Sequence, residues 1–176
     1  MARSHIEIQQ GRATRHLGNP LDFLADDNMR EREICDLIDQ LADCETPPRD
    51  NLETVLTYLK QELPLHLQDE NEDLLPLLRQ RCLAEDQIGK VINRLQSNHG
   101  HALTDLPRVV GLLRKSTSFT PKTRETLRNF ASHARRHITV ETAILLPIAR
   151  VRLKASDLDQ MRWHMLERRG LTHMMG

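Results

Sequence analysis

The stretch His66-Leu67-Gln68-Asp69-Glu70-Asn71-Glu72-Asp73-Leu74-Leu75-Pro76 returns later in the chain as His137-Ile138-Thr139-Val140-Glu141-Thr142-Ala143-Ile144-Leu145-Leu146-Pro147. The offset is 71 residues, and the register holds without a gap. It also pairs Asn28 with His99, Arg79 with Arg150, Arg81 with Arg152, Ala84 with Ala155 and Asp86 with Asp157. Apolar positions obey the same shift: Leu24 with Leu95, Ile38 with Val109, Leu41 with Leu112 and Leu59 with Phe130. A constant offset of this kind marks a duplicated supersecondary unit.

Outward from the two copies, glycine is scarce and apolar residues recur at steps of three and four. That spacing predicts helices over about 20–42, 51–81, 85–115, 121–153 and 156–169. Asn19 and Pro20 read as the N-cap and first residue of the first helix, and Thr46-Pro47-Pro48 closes the region after it. Asp157 is expected to share the capping of the last helix, which stops before Gly170. Long helices joined by short polar loops predict an all-α, up-down-up-down four-helix bundle. A duplicated helix pair builds it, since one pair cannot bury its apolar stripe alone. The expected organisation is an N-terminal arm over 1–19, the bundle over 20–153, and a short C-terminal helix and tail over 154–176. Met161, Trp163, Met165 and Leu166 would let that last helix cap one end of the bundle, a dimer contact being the alternative.

The stripes themselves carry polar residues. The first helix reads Leu21, Leu24, Asn28, Cys35, Ile38, Ala42, and the second Leu56, Leu59, Leu63, His66, Glu70, Leu74, Leu77. The third reads Ile88, Ile92, Leu95, His99, Ala102, Leu106, Val109, Leu113. The fourth reads Leu127, Phe130, Ala134, His137, Glu141, Ile144 or Leu145, and Ile148. Every helix therefore sends an imidazole, an amide or a carboxylate into the core at similar depth. Buried without partners, such groups would cost many kcal/mol or neutralise. A metal ion resolves the conflict. A His and a Glu at i and i+4 lie roughly 6 Å apart along the axis, so one can hold an ion while the other reaches a second. Mixed imidazole and carboxylate ligation suits iron and manganese, and zinc less exclusively. The candidate ligands are His66, Glu70, His99, His137 and Glu141.

Composition narrows the alternatives. Lys and Arg equal Asp and Glu at 25 each, and aromatics are only 3% of residues, so neither a field of one sign nor stacking platforms for nucleic acid are expected. No apolar run approaches a membrane span, and Met1 to Asn19 lacks the continuous apolar segment of a secretory signal. Three cysteines, Cys35, Cys44 and Cys82, without CxxC spacing, suit a reduced, cytoplasmic setting.

At these residues the chain resembles the hemerythrin-like family, the HHE cation-binding domain. Its members carry a His on the first helix, HxxxE on the second, a His on the third and HxxxE on the fourth. The matching positions are His66 with Glu70 and Leu74-Leu75-Pro76, Asn98-His99, and His137 with Glu141 and Leu145-Leu146-Pro147, and the likeness spans about 20–153. The resemblance implies a non-haem di-iron site with bridging carboxylates. It also implies engagement of a diatomic ligand (oxygen or nitric oxide) or peroxide, for sensing, storage or stress response, in a monomer or homodimer. An iron-dependent peroxide- or nitric oxide-processing enzyme is the second reading, and a structural bundle with a degenerate site the third.

One position departs from the pattern. Where the family places its first-helix His, this chain has Asn28, whose amide oxygen is a weak, neutral ligand. Either one metal keeps an open position, or another group replaces the imidazole. Glu31, at i+3, is the best-placed substitute, and Asp27 points about a quarter-turn away. His133 and Glu62, duplicate partners one turn before His137 and His66, are further candidates at the stripe's edge. His101 reads as a surface residue, Cys35 as a small core hydrophobe, and Pro64 as a kink that either helps aim His66 or only bends the helix around the core. His5, His16, His164 and His173 carry no spacing signal.

Overall fold

A computed structural model describes residues 18–115 and 118–172. Most of the expected N-terminal arm, with His5 and His16, and the tail residue His173 lie outside the described residues. Five helices follow in order: α1 (Pro20–Asp43), α2 (49–81), α3 (Gly89–Lys115), α4 (121–152) and α5 (Ala155–Arg168). No strand occurs among the described residues. The start of α1 follows the expected chemistry, with the Asn19 side chain accepting from the Leu21 N–H at 3.0 Å and Pro20 opening the first turn.

The core divides into two apolar clusters with a polar layer between them. One contains Leu21 and Leu24 of α1, Leu74 and Leu78 of α2, Ile92 and Leu95 of α3, and Leu145 and Ala149 of α4. The other takes Ile34 and Ile38, Leu59 and Leu63, Val109 and Leu113, and Leu127 and Ala131 from the same four helices. The first cluster therefore sits at the start of α1 and α3 and the end of α2 and α4, which is the up-down-up-down arrangement. Asn28, Glu31, His66, Glu70, His99, His137 and Glu141, all buried, fall between the clusters in every helix. Met161, Met165 and Leu166 of α5 join the first cluster, so α5 covers that end of the bundle. Trp163 does not join them and stays 45% exposed, because it lies on the outer face of α5.

The long helices are not α-helical throughout. α2 widens into π turns at Tyr58–Glu62 and Glu70–Leu74, and α4 does so at Glu141–Leu145. Each π turn is followed by Leu-Pro: Leu63-Pro64, Leu75-Pro76 and Leu146-Pro147. Proline has no N–H, and its ring crowds the carbonyl four residues back. The leucine before it instead bonds five residues back, Leu75 N–H to the Glu70 carbonyl and Leu146 N–H to that of Glu141. Each wide turn adds one residue and rotates the face beyond it. That is why Leu78 and Ala149 are fully buried where the regular repeat predicts Leu77 and Ile148, and why Leu145 rather than Ile144 enters the core.

The duplication closes on itself at the ends of α2 and α4. Arg81 grips Asp157 with two bonds of 2.8 and 2.7 Å, and its counterpart Arg152 grips Asp86 at 2.9 and 2.8 Å. Each arginine thus holds the aspartate of the other half, as a pseudo-two-fold axis requires. Asp157 also accepts from Lys154 N–H at 2.9 Å, which is the expected capping of α5. The symmetry fails at the predicted start of the third helix. Residues 84–86 form a 3-10 turn, and Gln87 takes a left-handed φ of 50°, which no α-helix accommodates, so α3 begins at Gly89.

Candidate metal centre

Glu70 stands at the middle of the polar layer, at the first position of its π turn. Its Oε1 lies 3.2 Å from His66 Nε2, and its Oε2 lies 2.9 Å from His99 Nε2 and 3.4 Å from His137 Nε2. Glu141, at the matching position of the other π turn, is 3.7 Å from His137 Nε2 and 4.0 Å from His66 Nε2. The ligand atoms form two tight groups, His66 with Glu70 and Glu141, and Glu70 with His99 and His137. Glu70 belongs to both. All five sequence-derived candidates are therefore together in one buried cluster, with a carboxylate common to its two halves.

The substitutes proposed around Asn28 lie outside those two groups. Glu31 places Oε2 3.9 Å from His66 Nε2. Asn28 is buried with neither amide atom hydrogen-bonded. Glu62 is half-buried, and His133 is exposed at the mouth of a neighbouring cavity, as is His101. Asp27, read from the sequence as a quarter-turn off the stripe, places Oδ2 3.7 Å from His66 Nδ1. The buried face of α1 is broader than that stripe, since Ile34 and Leu41 are buried as well.

One orienting contact fixes which nitrogen of His99 is available. Asn71 Oδ1 can only accept, so His99 Nδ1 donates to it at 2.6 Å and leaves the Nε2 lone pair facing Glu70. Asp27 stands on the Nδ1 side of His66. Asn71 was invisible to the stripe argument because it lies beside Glu70 and off the repeated motif. Tyr58 was missed as well: it is buried, its hydroxyl has no hydrogen-bond partner, and burial, then Glu31 and Asp27, push its pKa well up.

A larger omission lies outside the bundle. Arg168 of α5 and Arg169, its C-cap, bind the fully buried Asp69 at 2.9 and 2.6 Å. Arg168 also binds Asp73 at 2.6 Å and Glu72 at 3.0 Å, and His164 meets Asp73 at 2.5 Å. These carboxylates flank Glu70 on both sides. One available signal was a break in the repeat: Asp69 and Asp73 correspond to Val140 and Ile144.

The electrostatics of the cluster are those of groups needing a cation. Burial works against ionising Glu70, yet His66 above all, with His137 and His99, holds its carboxyl well below the usual range. Burial likewise opposes a charged His66, but Glu70, Asp27 and Glu141 raise its pKa well above that of free imidazole. Glu141 is pushed well up by burial and then by Glu70. Burial also raises Glu31, against the pull of His66 and His137. Both oxygens of Glu70 and of Glu141, and both nitrogens of His66, nonetheless lack a well-formed hydrogen bond. Buried polar atoms are rarely left so. Metal ions among these donors would satisfy them and replace the protons, so the residues present fit a metal. Cys35, by contrast, is an inert thiol, pushed up to about 12 by burial and then by Glu31.

The model of the hemerythrin HHE cation binding domain family matches residues 19–149, and the chain belongs to that family. The matched span covers the four bundle helices almost to the end of α4 and stops before α5. No curated protein and no solved structure matches the chain. No helix among the described residues is long and apolar enough to cross a membrane.

Proposed function

We propose that this protein holds a pair of non-haem iron ions through His66, Glu70, His99, His137 and Glu141, with manganese or zinc as substitutes, and engages oxygen, nitric oxide or peroxide there. The observation that carries the reading is Glu70, whose two oxygens face His66 on one side and His99 with His137 on the other. A carboxylate shared by two donor groups is what a bridged metal pair demands. Bound iron would supply reversible redox chemistry and open coordination for a small ligand. The chain's own residues orient His99 through Asn71, set Asp27 beside His66, and bury the layer between two leucine-rich clusters. Burial strengthens the charge interactions inside.

Asn28 favours unequal metal positions within that reading. The family's first-helix imidazole is replaced by an amide with no partner, on the same helix as Asp27 and Glu31, which both approach His66. A cytoplasmic protein that senses or stores a small ligand, acting as a monomer or homodimer without nucleic acid or membrane partners, suits such a centre.

Elemental analysis of freshly purified protein together with its optical spectrum tests the proposal. Up to two iron per chain and ligand-to-metal bands are expected. Chelation should lower the melting temperature while leaving a helical bundle. A ligand bound only by the native state adds about 2.7 kcal/mol at a hundredfold excess over Kd. Metal-free protein that takes up no iron, with identical melting curves before and after chelation, would overturn it.

A further inference from the structure

A cavity of about 550 Å³ lies between α3 and α4, with His99, His137 and Glu31 among the residues lining it. Its origin can be read by using one half of the duplication as a reference for the other. In the α1–α2 half, Ile34, Val55, Tyr58 and Leu63 are buried members of one apolar cluster. The residues 71 positions on are Asp105, Thr126, Asn129 and Ala134, and all four line the cavity. Each has lost bulk or apolar character. The α3–α4 half is a hollowed copy of a filled design, and the hollow reaches two of the candidate metal ligands.

The volume exceeds what a diatomic molecule needs and falls in the range of organic ligand sites, about 300–1,000 Å³. Leu63, Leu67, Val109 and Phe130 give the walls apolar surface. Arg108, Asp105, Asn129 and His101 are exposed residues that add polar groups to the lining. We infer that this cavity binds a small organic molecule, its body of several carbons held between α3 and α4 and an oxygen-donor head directed to the His99–His137 end. The inference rests on the metal reading only for the head. The body is recognised by the space itself.

Two probes separate those parts. Benzyl alcohol, titrated calorimetrically into metal-free protein, reports the cavity alone, and benzoate on iron-loaded protein adds the donor head. Ala134→Leu restores the residue of the filled half, and Asp105→Ile does so on α3 if the first variant fails to fold. Wild type should bind both probes, and either filled variant should weaken both by tenfold or more. Acetate, a head without a body, should bind iron-loaded wild type and variant alike, and iron content should not change. A filled variant should melt no lower than wild type, since it occupies empty space. Failure of benzyl alcohol to bind, or binding indifferent to the filled variants, overturns the cavity proposal even if iron loads normally. Benzoate no tighter on iron-loaded than on metal-free protein overturns the head assignment. Iron failing to load while benzyl alcohol binding still depends on position 134 leaves the cavity standing and sinks the metal reading instead.

Discussion

The two glutamates at the heads of the paired π turns, Glu70 and Glu141, are equivalent by sequence and unequal by environment. Both follow a histidine by one turn, both start a wide turn imposed by the Leu-Pro beyond it, and both are buried. Glu70 is gripped from outside, since α5 fastens Asp69, Glu72 and Asp73 around it through Arg168, Arg169 and His164. Around Glu141 the corresponding residues are Val140, Ala143 and Ile144, with Ile144 38% exposed and no α5 against it. The comparison teaches that a duplicated fold supplies two copies of a ligand motif, and that contacts from outside the repeat set the copies apart. The carboxylate shared between both donor groups is the one whose neighbours α5 holds.

The largest break in the comparison should come from removing each carboxylate. Glu70→Ala takes a ligand from both groups, so iron stoichiometry should fall to near zero. Glu141→Ala removes a carboxylate that stands farther from the imidazoles, at 3.7 Å from His137 and 4.0 Å from His66, so a single, weaker iron should persist. Metal content measured after desalting decides it, and equal loss in the two variants would erase the distinction.

The α5 grip should come next. Burial pushes Asp69 upward while Arg169 and Arg168 pull against it. Replacing Arg168 and Arg169 together by Ala strands that carboxylate, and breaking a buried pair typically costs about 3–5 kcal/mol. Denaturant unfolding should show a loss of that order. Adding Asp69→Val, which copies Val140, should recover much of it, because the uncompensated charge is then gone. No recovery would mean that α5 stabilises α2 by packing alone.

A smaller change is expected at Asn28. If the missing imidazole weakens the position nearest His66, Asn28→His should tighten the second iron by about tenfold or more, the scale on which even supporting residues tune metal affinity. If Glu31, 3.9 Å from His66, already fills the vacancy, Asn28→His changes little and Glu31→Gln loses metal. Iron titration into metal-free wild type and both variants distinguishes these outcomes, and unchanged loading in both would make Asn28 a spectator.

The sequence carried the fold and the centre of the site because both rest on local periodicity. Steps of three and four place His66, Glu70, His99, His137 and Glu141 on one stripe, and the 71-residue offset shows that they recur. What periodicity could not carry was anything that bends the period or crosses between helices. The π turns moved the buried face from Leu77 to Leu78. Asp27 reached His66 from the edge of a buried face broader than the stripe, and Asn71 reached His99 from the neighbouring helix. The ion pairs of α5 span about a hundred residues, and their partners Asp69 and Asp73 look like an ordinary solvated face in sequence. The breaks in the repeat were the one available clue to them, and to the hollow beside α3.

The smallest effect concerns the reciprocal pairs Arg81–Asp157 and Arg152–Asp86, where the halves are most alike. Arg81, and then the Lys154 N–H, hold the Asp157 carboxyl below its ordinary value despite burial. Arg152 and the Leu83 N–H do the same for Asp86. A carboxyl whose folded pKa is depressed contributes stability above its unfolded value, near 3.9, and loses it as pH falls further toward the folded value. Melting temperature should therefore drop more steeply below about pH 4 in wild type than in Asp157→Asn or Asp86→Asn, each of which is uniformly less stable at neutral pH. Perfect symmetry would make the two variants identical. They should differ, because Asp157 also holds the first turn of α5, which in turn grips α2 around Glu70, whereas Asp86 holds only a 3-10 turn. Asp157→Asn should then be the more damaging, and it alone should loosen iron retention at neutral pH. Equal melting profiles with unchanged iron in both variants would show that α5 stays in place without its cap, and that its grip on α2 stands alone.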